Sequence, residues 1–171
     1  MRVVQKPYAF ASLILATAMA LTIALICSAS PPIKKQWDVP WVRKTPGSRG
    51  VIVFIHGVTG DARSTWLSGD QFWPGMLTED STFNGQDIYV YSYPSPRFRK
   101  TFSIDDIAEN MRLVLTDDGV LKHEEVTFIC HSMGGIVARA FILKYRPIAA
   151  KIRFIYFFAT PTTGSPYATL A

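Results

Sequence analysis

Cys130-His131-Ser132-Met133-Gly134-Gly135 holds the residues of this chain best arranged for chemistry. A short apolar run, Val126 to Cys130, leads into it, and a helical pattern, Ile136 to Tyr145, leads out. A serine flanked by small residues at a strand-to-helix turn has the geometry of a nucleophile elbow. The turn is tight enough that bulky neighbours would clash, and glycine tolerates both its backbone angles and the close approach of neighbouring chain. The hydroxyl is then held in the open at a helix N-terminus, where a developing oxyanion is favoured. The chemistry this predicts is acyl transfer with Ser132 as nucleophile. Ser-x-Gly alone also marks ordinary loops. Cys130 stands where the first glycine of G-x-S-x-G would stand, and cysteine is small enough to fit.

The elements that must position such a serine are legible around it. Val51 to Ile55 is a continuous apolar run, as expected of a parallel strand buried on both faces. Asp87 to Tyr91, Val126 to Cys130 and Ile152 to Phe158 read as three more strands. After Ser103, a predicted N-cap, apolar residues fall at Ile104, Ile107, Ala108, Met111, Val114 and Leu115, one face of a helix. Asp105 and Asp106 suit the positive end of that helix. Ile136, Val137, Ala140 and Phe141 mark the helix after the elbow, and Pro147 is expected to stop it. The segment from Ser64 to Gly85 is less regular. Strands alternating with helices predict an α/β fold, a parallel sheet covered by helices on both faces. In such sheets ligands bind at the C-terminal ends of the strands. Three turns fall there: His56-Gly57-Val58-Thr59-Gly60, the elbow, and Ala159-Thr160-Pro161-Thr162-Thr163-Gly164-Ser165.

The chain has 171 residues, of which 49% are hydrophobic, enough for one domain with a core and not for two. The net charge of +5 is spread over scattered positions without a dense basic block, which argues against nucleic acid as a partner. Cys27 and Cys130 are too separated in context to suggest a disulfide framework.

Ala9 to Ala29 contains no charged residue, with Arg2 and Lys6 before it and Pro31, Pro32, Lys34 and Lys35 after it. Residues 1–30 therefore read as a transmembrane anchor or a cleavable signal peptide, with length favouring the anchor. The expected location is membrane-anchored or exported, and the flanking charges leave orientation open. Residues 31–49, rich in proline, read as a tether or an extended edge. Residues 50–171 form the remaining domain.

At this point the chain resembles the α/β-hydrolase superfamily. More narrowly, it is similar to lipase-like serine esterases of the GPI-inositol-deacylase and phosphatidylglycerol-remodelling kind. The resemblance rests on Phe54-Ile55-His56-Gly57 with Gly60-Asp61 and Trp66, on His131-Ser132-Met133-Gly134-Gly135, and on Ala159-Thr160-Pro161 with Gly164-Ser165. It implies Ser132 as nucleophile and an oxyanion hole built from the backbone N–H groups of Met133 and Val58. It implies hydrolysis of carboxylic esters, with lipids or other apolar acyl esters as substrates, and no cofactor. Trp66, Phe72, Trp73 and Met76 either line an acyl pocket or pack against the sheet.

The histidines do not supply a base on this reading. His56 reads as a hydrogen-bonded structural residue beside the oxyanion loop. His131 adjoins the nucleophile and points elsewhere. His123 lies before its strand, at the opposite end of the sheet. The three share no ligand spacing, so no metal site is expected. The superfamily order is serine, acid, histidine. No Asp or Glu follows Glu125 and no His follows His131. The sequence therefore predicts a fold incomplete at its C-terminus, completed by a missing C-terminal segment or by a partner chain. The alternative is a catalytically inactive, membrane-associated binding protein.

Overall fold

The computed structural model describes residues 40–94 and 102–162. The predicted N-terminal membrane segment, Gly164 and Ser165 lie outside the described residues. The elements run β1 (Trp41–Arg43), β2 (Gly50–Ile55), β3 (Leu67–Ser68), β4 (Gln71–Phe72), α1 (Trp73–Glu79), β5 (Gln86–Tyr91), α2 (Ile104–Asp117), β6 (Glu125–His131), α3 (Met133–Lys144), α4 (Arg146–Ala149) and β7 (Ile152–Phe158). The main sheet has the order β1-β5-β2-β6-β7. Strands β5, β2, β6 and β7 are parallel, and only β1 is antiparallel to its neighbour. All four strands expected from apolar runs are present, extended by one residue at most at each end. Strand β1 lies within the proline-rich segment and forms the sheet's extended edge against β5.

The two faces of the sheet account for the unbroken apolar runs. Val51, Val53 and Ile55 point to one face with Tyr89, Tyr91, Val126, Phe128 and Cys130. There they meet Ile107, Ala108, Met111 and Leu115 of α2 and Val137, Ala138 and Phe141 of α3. Ile52 and Phe54 point to the other face with Ile88, Val90 and Ile129, against Trp66, Phe72 and Leu77. A central strand covered on both faces has no polar position to alternate with.

Helix α2 starts where its cap dictates. Ser103 Oγ accepts from the Asp106 N–H at 3.1 Å, and Asp106 Oδ2 accepts from the Ser103 N–H at 3.0 Å. This is a reciprocal capping box, with aspartate in the place usually held by glutamate. Helix α3 ends at Lys144, one residue short of the expected Tyr145. The break falls at Tyr145 (φ −119°, ψ 57°), and Pro147 sits in the first turn of α4. Proline is tolerated there because a first-turn N–H has no intrahelical acceptor.

The irregular stretch from Ser64 to Gly85 contains a short hairpin, β3 with β4, and the helix α1. The sequence shows no helical pattern at its Trp73-Pro74-Gly75 start, yet Pro74 again occupies a first turn. Chain order then fixes where a ligand can bind. From β2 the chain moves to β5 on one side, and from β6 it moves to β7 on the other. The crevice between the C-terminal ends of β2 and β6 is the topological switch point.

Candidate active site

Ser132 stands at that crevice, between the last residue of β6 and the first of α3. Its backbone has φ 52° and ψ −123°. A non-glycine residue in such a conformation stores about 1–3 kcal/mol and persists only where its surroundings hold it. Two restraints are visible. The Ser132 N–H donates to the Phe158 carbonyl at 2.8 Å, tying the turn to the end of β7, and the Gly135 N–H donates to the Ser132 carbonyl at 3.1 Å. Strand β6 thus delivers the serine, and the strain turns it out of the sheet at the start of α3. The N–H groups of Met133 and Gly134, ahead of the Gly135 bond, open the helix without i−4 acceptors inside it.

The glycines show how closely the pieces meet. A Cβ on Gly57 would stand 2.7 Å from Ser132 Cβ and 3.1 Å from the His131 carbonyl oxygen. The loop after β2 therefore lies directly on the elbow. A Cβ on Gly134 would stand 2.5 Å from the carbonyl oxygens of both Ile55 and His56. Helix α3 begins in contact with the backbone of β2, and only a residue without a side chain fits. Cys130, in the position of the motif's first glycine, is fully buried in the core. Burial pushes its thiol up to about 12, so it behaves as a small apolar residue rather than a second nucleophile.

The two backbone donors expected for the oxyanion hole flank this contact. Met133 opens α3, and Val58 follows Gly57, with its side chain half-exposed. The loop carrying Val58 is folded back at its base: the Gly60 N–H donates to the Gly57 carbonyl, and Thr59 has a φ of 58°. Asp61 fixes the exit. Its carboxylate accepts from the Arg63 N–H, the Ser64 N–H and Ser64 Oγ, each at 2.7 Å. These bonds, led by those from Ser64, hold Asp61 below its ordinary range despite some desolvation.

The histidines take three separate positions. His56 is buried beside the loop, stacked on Tyr93 with ring centroids 4.2 Å apart. His131 faces Trp66 edge-on at 6.3 Å, and its Nδ1 is buried without a hydrogen-bond partner. His123 lies at the N-terminal ends of the strands, where its Nε2 meets Asp87 Oδ2 at 3.0 Å and its Nδ1 meets the Val120 carbonyl at 2.9 Å. The carboxylate that His123 holds is thus at the sheet end away from Ser132. Among the described residues, no group of three or more His, Cys, Asp or Glu could hold a metal ion.

Most of the aromatic residues after the loop pack against the sheet. Trp66 and Phe72 are buried against Phe54 on the sheet. Trp73 bridges inward and outward, edge-on to Phe54 at 5.3 Å and to Phe158 at 5.3 Å. Met76 is exposed. Trp73, Leu77, Phe83, Ile129, Tyr156 and Phe158 line an open apolar cavity of about 340 Å³ beside β7. Tyr93 is the site-edge residue that the sequence did not single out. It lies just past β5, where it reads as part of a Tyr-Pro loop.

Among the described residues, no helix is long and apolar enough to cross a membrane.

No curated protein matches the chain. Its fold is similar to that of the phospholipase PlaB from Legionella pneumophila, at 26% identity and a TM-score of 0.57 over 71% of this chain and 27% of that one, in the form bound to thio-NAD. A second structure of the same phospholipase gives 26% identity and a TM-score of 0.57 over 72% of this chain and 27% of that one. The mature lipase BlEst2 from Bacillus licheniformis gives 22% identity and a TM-score of 0.48 over 75% of this chain and 47% of that one. The chain therefore spans about a quarter of the length of the phospholipase and about half that of the lipase. The sequence profile of the alpha/beta hydrolase family matches residues 52–169, which includes most of β2, the loop after it, the other parallel strands and the elbow. The chain belongs to the alpha/beta hydrolase family.

Proposed function

We propose that this chain carries the nucleophile half of a serine hydrolase for carboxylic esters. Ser132 Oγ attacks the ester carbonyl carbon, and the carbonyl electrons move onto oxygen. The N–H groups of Met133 and Val58 receive that oxyanion; a base passes the Ser132 proton to the departing oxygen as collapse expels the alcohol, and water then attacks the acyl-serine by the same route, releasing the acid and restoring the Ser132 hydroxyl. The observation that carries the reading is the strained Ser132 backbone between β6 and α3, with Gly57 pressed against its Cβ. Strain of this kind, on a serine at the switch point of the sheet, supports a functional role for it.

A serine hydroxyl needs a base to lose its proton at neutral pH. His56 and His123 are committed to other partners, and neither acid nor histidine follows Ser132 in this chain. On our reading the acid and the base come from a further segment or a partner chain that seats next to β7. If none does, the protein is a membrane-associated binding relative of the family; the missing acid and histidine are what favour that second reading. The substrate we assign is a lipid or other apolar acyl ester. It is supported by the apolar cavity beside Trp73 and Phe158 and by the likeness to a phospholipase at 26% identity. We also assign Ala9 to Ala29 as a membrane anchor or export signal, which would bring the site to a lipid surface.

An ester-hydrolysis assay on protein expressed from its native gene tests the reading. Long-chain ester hydrolysis that disappears in Ser132→Ala is the expected result. Hydrolysis that survives this substitution would remove Ser132 from the mechanism.

A further inference from the structure

His56 and Tyr93 are joined by more contacts than packing requires. The rings stack with an interplanar angle of 9°. Tyr93 Oη donates to the His56 carbonyl at 2.7 Å, and the Tyr93 N–H donates to His56 Nε2 at 3.3 Å. His56 Nδ1 lies 2.9 Å from the Gly57 carbonyl oxygen. A carbonyl can only accept, so Nδ1 carries the proton, and Nε2 is left as the acceptor for Tyr93. The imidazole is thus a neutral ring of defined tautomer, bonded at both nitrogens. Its Nδ1–H holds the carbonyl of the residue that touches Ser132, the same carbonyl that accepts from the Gly60 N–H.

We propose that His56 and Tyr93 are positioning residues: a clasp between the ends of β2 and β5 that fixes the Gly57–Gly60 turn and so aims the Val58 N–H. The functional half of this inference rests on Val58 and Met133 being the oxyanion donors. The clasp itself does not. Neither residue touches substrate. A donor has to be placed within a few tenths of an ångström of the developing oxyanion, and a surface loop alone would not hold it there.

The clasp is sensitive to acid by construction. A proton on Nε2 would leave two donors facing each other, the new N–H and the Tyr93 N–H. Burial opposes that protonation and holds His56 below its ordinary range. The groups that face the ring are Tyr93 from the segment after β5, Asp61 from the turn after the loop, and His131 from the end of β6. The Asp61 charge favours protonation and His131 disfavours it; burial outweighs both.

Two measurements on the folded chain test the clasp without reference to activity. Long-range proton–nitrogen NMR of His56 should show a single protonated nitrogen, Nδ1, and a ring that stays neutral through the range where free histidine titrates, about pH 6.5. A proton on Nε2, or titration at the ordinary value, would overturn the proposal. Tyr93→Phe keeps the stack and the backbone donor and removes one bond. It should speed hydrogen exchange at the Val58, Thr59 and Gly60 amides by about tenfold, the usual weight of one such bond. Unchanged exchange there would also overturn it. A third measurement addresses function. In protein from the native gene, labelling of Ser132 by a fluorophosphonate should slow by about tenfold in Tyr93→Phe and fall off in acid. Labelling that is equally fast in both proteins would refute the positioning role. If the wild-type serine takes no label at all, the hydrolase reading fails, while the NMR and exchange data still decide the clasp.

Discussion

At the scale of single residues, the site depends on what is absent at position 57. A methyl group there would lie 2.7 Å from Ser132 Cβ, an atom that cannot swing away. Gly57→Ala should therefore push the loop off the elbow, at a cost of about 1–3 kcal/mol in stability, and reduce any reaction at Ser132 further still. A urea midpoint equal to wild type, with unchanged labelling of the serine, would show that the loop and elbow do not meet. His56 adds a pH dependence whose sign is set by its lowered folded value. The unfolded chain binds the proton more readily than the native one. The contribution is complete above the unfolded value of about 6.5 and is lost as pH falls below it toward the folded value. Urea midpoints should drop between about pH 7.5 and about pH 5, and His56→Gln should shrink that drop. A drop of the same size in the variant would assign it to other groups. Ser132 was legible in the sequence because a nucleophile elbow has a local signature. Tyr93 was not, because its role depends on a stack with a residue 37 positions away, and nothing in Tyr-Pro announces it.

At the scale of elements, the helix that carries no chemistry has the clearest start. The reciprocal bonds of Ser103 and Asp106 satisfy two donors at the N-terminus of α2. Ser103→Ala should cost about 1 kcal/mol, measured as a shift in the unfolding midpoint, with no change in slope. A neutral substitution would mean that α2 is held by its buried face alone. The sequence exposed α2 through its cap and its apolar stripe, and β2 through its apolar run. It hid α1, since Pro74 and Gly75 at its start are loop formers in any local reading. It ended the pattern of α3 at Tyr145, its actual C-cap, but hid that Pro147 starts the next turn instead of only closing the helix. Local patterns fix where an element is amphipathic. Where it ends depends on tertiary contacts.

For the whole molecule, stability sits in two cores divided by one sheet. Phe54 is fully buried and makes edge contacts to both Trp66 and Trp73. Phe54→Ala should cost about 3–5 kcal/mol. Because Trp73 also touches Phe158, whose carbonyl holds the Ser132 N–H, the same cavity should loosen the elbow. Strand β7 has the opposite character. Phe154, Tyr156 and Phe158 are 61%, 53% and 43% exposed, a run of large apolar side chains on a strand with no outer neighbour among the described residues. The sequence shows Ile152 to Phe158 as an apolar strand, and it cannot show which of its faces is covered.

Ser132 is, on the mechanism proposed, a nucleophile held ready by the turn between β6 and α3. Fluorophosphonate labelling of the protein expressed from its native gene, followed by peptide mapping, tests it most directly. One labelled residue, Ser132, and no labelling in Ser132→Ala are the expected results. A folded protein whose serine stays unlabelled, or a label that maps to another residue, would contradict it.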